Sequence, residues 1–490
     1  MIDIRKQLEP LELIDIKKCV TVGETVRQME KAAIGARMIG EAAATIANWV
    51  ESGKTPQIIL DNPFKGHERV QLNGLFAEMA ACGIVRPTIT NSHSHARSGN
   101  RDPIIVLGFF LNEWEDDLFL KGPDKSLFIN EFNLAPPWVK DGYFRSFVNA
   151  DWRFALPILN LAVQEYLSGR PKPFSELFDA WMRCGGVGHQ ASHGFATFRQ
   201  MIEDPDCTAM ATMSGIMTMA KMGGLISHMI DQKWVQAIAA TGALIGHGLV
   251  EGIGLKHYKY DPRFTDEEYG KQRLNRITDT IEPEENLTAA EMIIHKVLRK
   301  IPSGAVLSPI EVNRMIGKHL SHYYPRGESI LRSAFRQDVP VFVPAFWDSE
   351  LGNDVETESQ RRRLNGEGRI AVCSGLDNQL LIDITTGAKN LGIFSLGGGV
   401  PRNNFQNVAP LIDIINERLG VNLPRVRYMK GVRICPDSVL IGHLSGCTYS
   451  ENMSWGKTDT VHGRFSEVMA DATMIFPFYM AAMEEIRNRR

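Results

Sequence analysis

From residue 23 to about 52 the apolar residues Val26, Met29, Ala33, Ala36, Ile39, Ala43, Ile46 and Val50 recur every three or four positions, and Gly53 follows. That spacing lines one face of a 3.6-residue repeat and predicts one long amphipathic helix stopped by the glycine. Short apolar runs at 57–60, 85–90, 103–110 and 126–132 predict strands separated by helical or loop stretches. Another helix is predicted over 152–167, ending at Ser168 and Gly169, and Arg170, Pro171, Lys172 and Pro173 read as a linker. Residues 1–169 are therefore expected to form an N-terminal mixed α/β extension, in which no motif assigns a role. Residues 174–490 are expected to form a second domain.

Beyond the linker, strand-like runs at 209–213, 235–240, 339–343, 370–373, 391–396 and 426–434 alternate with helical patterns such as 289–300 and 377–389. Alternation at this spacing implies crossover units, hence an α/β, doubly wound, mostly parallel sheet with helices on both faces.

Composition narrows the function classes. The 490 residues are 44% hydrophobic and 23% charged, enough for at least two cores. The 54 basic and 57 acidic residues are interspersed, so no basic stripe points to nucleic acid and the partners are expected to be small. The seven cysteines are scattered and lack a CxxC pair, which fits a reducing compartment. The amino terminus has no signal-like apolar run, and stretches such as 156–163 fall short of the ~20 residues that cross a bilayer. No membrane role and a cytoplasmic location are expected.

Four features bear on chemistry. An apolar strand runs into Gly397, Gly398 and Gly399, followed by Asn403, Asn404 and a helical stretch over 408–419. Glycines at the carboxyl end of a strand let backbone N–H groups approach a phosphate, although a plain tight turn has the same composition. Asp348 and Asp471 each follow or flank an apolar run; such carboxylates hold ribose hydroxyls or ammonium groups, and they also cap helices. His93 and His95 have a spacing seen in metal sites, yet no strand leads into them and no partner ligand follows, so a solvated loop is the expectation. Finally, SENMSWGKTD (450–459) sets Lys457 behind a tryptophan and a glycine, where it is either a surface charge or a reagent.

Read together, GGVGHQAS (185–192), ATGALIGHG (240–248), LNRITDT (274–280), VPVFVPAFWD (339–348), SLGGGVP (395–401), LSGC (444–447), ENMSWGKT (451–458) and ADATMIFP (470–477) resemble deoxyhypusine synthase and its bacterial relatives, in family order. The first ~165 residues lie outside this resemblance. The resemblance implies a Rossmann-like NAD-binding catalytic domain in which bound NAD takes hydride from a polyamine such as spermidine. An enzyme lysine then captures the aminobutyl group and an acceptor amine displaces it. Lys457 matches that nucleophile. It must be neutral to attack, which burial beside an apolar ring promotes, and Trp455 is the expected wall and guide for a cationic substrate. Glu451 matches a carboxylate that holds a substrate amine. Thr241, Gly242, Asp348, Gly397, Gly398, Gly399, Gly442, Ser445 and Asp471 are placed around NAD. The family pairs subunits around NAD, so a homodimer or homotetramer is implied.

The departures from the eukaryotic pattern concern charge. Asn403 replaces a substrate-contacting histidine, Leu444 a substrate-binding aspartate, His247 a cofactor-side glutamate and Asn353 another aspartate, with Asp354 adjacent. A polycation binds by carboxylate count, at ~1.5–3 kcal/mol per charged hydrogen bond, so the donor and acceptor are expected to differ from the eukaryotic pair. The expectation is an aminoalkyl transferase acting on small amines, homospermidine formation from putrescine-type substrates being one form. The alternatives are modification of a protein lysine and a non-catalytic regulatory paralogue.

Overall fold

The computed structural model describes residues 3–60, 67–87, 89–91, 103–107, 126–129 and 147–489. His93 and His95 lie outside them. The chain divides into two compact units, each discontinuous in sequence: Ile14–His193 with Tyr260–Thr265 and Thr473–Arg490, and Met1–Leu13 with Gly194–Lys259 and Asp266–Ala472.

The first unit holds a parallel sheet of β1 (Gln57–Leu60), β2 (Ile89–Asn91), β3 (Ile104–Leu107), β4 (Ser126–Ile129) and β5 (Phe147–Val148), in the order β2-β1-β3-β4-β5. The single helix expected over 23–52 is two, α1 (Val22–Glu30) and α2 (Ile34–Glu51). Ile34 turns the chain with a φ of 57°, and a Cβ on Gly40 would stand 2.3 Å from the Glu30 backbone. The glycine thus lets α2 fold back against the end of α1. The apolar repeat runs on through the break, which is why periodicity alone hides it. Helix α3 (Trp152–Ser168) stops at Gly169, whose φ of 66° makes a left-handed cap, and residues 170–173 lead into α4 (Phe174–Cys184). Trp181 of α4 stacks on Phe154 at 5.2 Å and donates its indole N–H to the Phe154 carbonyl at 2.9 Å.

The second unit is built on a six-stranded, wholly parallel sheet: β6 (Cys207–Met213), β7 (Ala237–Ala240), β8 (Val341–Phe342), β9 (Asn390–Leu396), β10 (Tyr428–Ile434) and β11 (Arg464–Val468). Their order is β8-β7-β6-β9-β10-β11. The middle strands are buried on both faces, and the polar side chains inside them, Thr212 and Ser395, satisfy each other through a 2.8 Å hydrogen bond. Met210, Ala239, Phe342, Ile393, Phe405 and Tyr428 meet in one core. The run expected at 370–373 does not join this sheet, because Ala371–Val372 pairs with Val306–Leu307 in a separate two-stranded ribbon. Strand β11, which was not among the expected strands, takes the edge; Arg464 and Glu467 interrupt its apolar pattern. Among the described residues no helix is long and apolar enough to cross a membrane.

Candidate active site

The carboxyl ends of the parallel strands gather most of the residues singled out in the sequence. After β7, Thr241 caps helix α5 (Gly242–Gly252): its hydroxyl oxygen accepts from the Leu244 N–H at 3.2 Å and its O–H donates to the Gly215 carbonyl at 2.6 Å. Gly242 lies so close to Ser349 that a Cβ would stand 2.3 Å from its Oγ. After β8, exposed Asp348 directly precedes Ser349, the cap of helix α6 (Glu350–Leu364). After β9, Gly397 (φ 76°) and Gly399 (φ 64°) adopt the left-handed region and lead into helix α7 (Gly399–Gln406). Gly398 has a different constraint. A Cβ there would stand 2.5 Å from the Ser445 Cα, so the loop after β10 closes on it only because it is glycine. That loop carries Gly442 (φ 71°) and Ser445, whose hydroxyl donates to the Asp437 carboxylate while its carbonyl accepts from Arg433 at 2.7 Å. Asp471 follows β11 and is half-buried.

Lys457 arrives from another direction. Helix α8 (Tyr449–Ser454) begins with a capping box: Thr448 Oγ1 accepts from the Glu451 N–H at 3.1 Å, and Glu451 Oε2 accepts from the Thr448 N–H at 2.7 Å. The chain turns at Gly456 (φ 67°), and Lys457 and Thr458 then lie beside Tyr428, the first residue of β10. The Tyr428 N–H donates to the Lys457 carbonyl at 3.0 Å. The side chain is 8% exposed, and its Nζ donates to Asn403 Oδ1 on α7 at 2.7 Å. Helix α7 therefore links the glycine turn at its start to the amine at its middle. Burial lowers the Lys457 pKa and Arg402 adds to the effect, while Cys447 opposes it.

Two expected roles look different in three dimensions. The Trp455 ring centroid lies 5.8 Å from Lys457 Nζ, but the residue is 68% exposed. On its other side the amine meets Asn403 of α7. Glu451 is exposed, and its carboxylate is engaged in the capping box, whose Thr448 N–H holds its pKa below the usual range. Leu444 and Asn353 are exposed. Asp354, beside Asn353, is pushed up to about 7 by burial and by Glu350 and Glu291.

Sequence reasoning missed a buried charge network around His247. Lys221 Nζ donates to Glu251 at 2.9 Å and lies 2.5 Å from His257 Nδ1. His257 Nε2 and His247 Nδ1 meet the Glu282 carboxylate at 2.5 and 3.1 Å, and Asn286 donates to its other oxygen at 2.7 Å. Burial raises the Glu282 pKa, but the two histidine hydrogen bonds outweigh it and hold the value at about 2. His247, His257 and Glu282 bring potential ligand atoms within 4.8 Å of one another. The Lys221 ammonium already supplies positive charge there, so the contacts form a hydrogen-bonded charge network. The only sequence signal was the departure at position 247. Asp437 and Arg402 gave none.

A family model described as deoxyhypusine synthase matches residues 176–483. The chain is 30% identical over 311 residues to "Probable deoxyhypusine synthase 2" of Methanosarcina acetivorans, covering 64% of this chain and 86% of the relative. It is 28% identical over 307 residues to "Deoxyhypusine synthase-like protein" of Coxiella burnetii, covering 61% and 83%. A protein of the same description from Chlorobaculum parvum is 28% identical over 289 residues, covering 59% and 79%. The match starts just after the linker and runs through every strand of the six-stranded sheet, the glycine turn and Lys457: from about residue 176 onward this chain belongs to the deoxyhypusine synthase family of aminobutyl-transferring enzymes.

Proposed function

We propose that this chain is an NAD-dependent aminoalkyl transferase acting on small polyamines through an imine on Lys457, and that it forms homospermidine from putrescine-type substrates. The observation that carries the reading is the Lys457 amine itself, buried and bonded to a neutral amide where a carboxylate would hold it charged. A neutral primary amine adds to a substrate imine carbon, its C–N bond forms as the departing amine leaves, and an acceptor amine repeats the exchange on the lysine-bound group. Asn403 orients the lysine by accepting one of its N–H bonds. Trp455 offers its face to an incoming cation, and Glu451 stands within the same turn of chain to receive a substrate amine.

The strand-end residues fit a dinucleotide. The strand order reverses between β6 and β9, and doubly wound sheets take dinucleotides in the crevice at such a reversal. Gly398 admits the loop after β10, and a Cβ on Gly399 would meet nothing within 4 Å, which leaves room over the N-terminus of α7. In this Rossmann-like reading Thr241, Gly242, Gly397, Gly398, Gly399, Gly442 and Ser445 line the cofactor site. Asp348 and Asp471 hold its hydroxyls. NAD, when bound, accepts the substrate's hydride and returns it.

A second copy of the chain is the expected cover for the apolar rim of this site, where Leu440 (91% exposed), Ile441, Val461 and Trp455 face outward. The seven free cysteines suit the reducing cytoplasm. The test is to incubate the protein with NAD and a panel of diamines and polyamines, reduce with borohydride and weigh the tryptic peptides. An aminoalkyl adduct on the Lys457 peptide is expected; no adduct with any amine defeats the reading. A modified lysine in another host protein would favour a protein acceptor instead.

A further inference from the structure

Arg402 lies one residue before Asn403 on α7 and is 2% exposed. Its NH1 donates to the Cys447 carbonyl at 2.7 Å, and its guanidinium carbon stands 4.9 Å over the Tyr449 ring. Its Nε and NH2 have no hydrogen-bond partner, and among the described residues no carboxylate pairs with it. The neighbouring buried Arg433 differs, since Glu467 lies 3.4 Å from its NH2. Glu467 acts on Arg402 only from beyond bonding distance, and a buried guanidinium with no bonded carboxylate is costly to fold, so a sequence that retains it needs a reason.

The reason lies in what shares its surroundings. Cys447, whose carbonyl holds Arg402, has its thiol 3.6 Å from Asn452 Oδ1. The Asn452 carbonyl in turn accepts the Lys457 N–H at 3.0 Å. On the other side, Asn403 holds the Lys457 amine. The guanidinium and the amine are thus pinned to one small frame, in which like charges repel with little water to screen them.

We propose that Arg402 is a positioning residue whose unpaired charge keeps the Lys457 amine neutral and therefore nucleophilic. The other charged or titratable groups around Lys457 do not cancel this effect. Cys447 acts in the opposite sense, and more strongly than Arg402, only as a thiolate; burial raises its pKa, so near neutrality it is an uncharged thiol. Glu451 is exposed and engaged at the helix cap. Arg427, near Gly456, is paired with Asp413 at 2.6 Å. Tyr449 and Tyr428 are buried phenols whose ionisation burial pushes far above neutrality. The assignment rests on the reading of Lys457 as the reacting amine, but its test requires neither NAD nor a substrate.

The experiment is the pH dependence of reductive ethylation of Lys457 by acetaldehyde and cyanoborohydride, quantified on its peptide by mass spectrometry. In the unmodified sequence the half-maximal rate is expected below the pH usual for lysine. Arg402→Met should move the midpoint up, with labelling near neutrality falling about tenfold for each pH unit by which it climbs. Arg402→Lys, which keeps the charge, should restore most of the low midpoint. Arg402→Gln keeps a donor for the Cys447 carbonyl and reads the same displacement where the methionine variant does not fold. A folded Met or Gln variant with an unmoved midpoint overturns the proposal, and so does a Lys variant that behaves like Met. If labelling responds as expected while no polyamine turns over, the proposed reaction fails and the electrostatic assignment stands.

Discussion

The amine of Lys457 donates to the amide oxygen of Asn403 across 2.7 Å, joining a residue beside the start of β10 to the middle of α7. A carboxylate at the same distance would stabilise the ammonium. The amide only orients it, and that difference fixes the ionisation expected of the site.

Asn403→Asp tests the relationship directly. The new carboxylate favours the charged lysine and raises its pKa, so imine formation at neutral pH should fall about tenfold each time that pKa climbs by one. The loss should be recovered at higher pH. A pH–rate profile for adduct formation reads both, and a variant with an unchanged profile contradicts the assignment.

Trp455 should matter for binding more than for ionisation, because it is exposed while the lysine beside it is not. Replacing it with alanine removes a cation–π contact of about 0.5–2 kcal/mol, expected to raise KM by roughly 2–30-fold. The pH profile should stay put. A displaced profile would restore Trp455 as the wall that neutralises the amine.

Gly398→Ala places a methyl 2.5 Å from the Ser445 Cα, against backbone that has no rotamer to yield. A loss of about 1–3 kcal/mol in urea unfolding is expected. NAD affinity by titration calorimetry should weaken at least as much, because the same displacement opens the glycine turn. Wild-type NAD affinity in this variant would argue that the cofactor lies elsewhere.

Asp354 carries a carboxyl whose folded pKa, about 7, lies above its ordinary 3.8. With the folded value raised, its protonated form favours the fold below about pH 4, and that contribution is lost as pH rises to about 7. Asp354→Asn should therefore have a higher Tm than the parent at pH 8, with the gap closing below pH 5. Thermal melts across this range check it.

Glu282 shows the opposite sign, with a folded pKa of about 2 against an ordinary 4.5. Its stabilisation is complete above about pH 4.5 and fades as pH falls towards 2. Glu282→Gln leaves His247 and His257 without the buried carboxylate that both of them bond and should cost about 3–5 kcal/mol at neutral pH. Urea unfolding at pH 7 and pH 3 should show that penalty shrinking in acid.

The sequence by itself determined the central strands of the parallel sheet, because most of their residues are apolar or small and stand out from their surroundings: β6, β7, β9 and β10 are legible unaided, although Thr212, Ser395, Lys430 and Arg433 lie within three of them. It also picked out the local devices, the glycine triplet and the amine behind SerTrpGly, since each is written within a few consecutive residues. It could not show that Ile34 breaks a continuous apolar repeat, nor that 371–372 pairs away from the main sheet, because one strand pattern serves either partner. Tertiary structure alone decided the edge strand β11, the buried Arg402 with no carboxylate bonded to it, and the meeting of Lys221, Glu251, His257 and Glu282 around His247. Those arrangements join residues tens of positions apart, and what distinguishes them is burial and the lack or presence of a counter-charge, which exist only once the chain has closed over them.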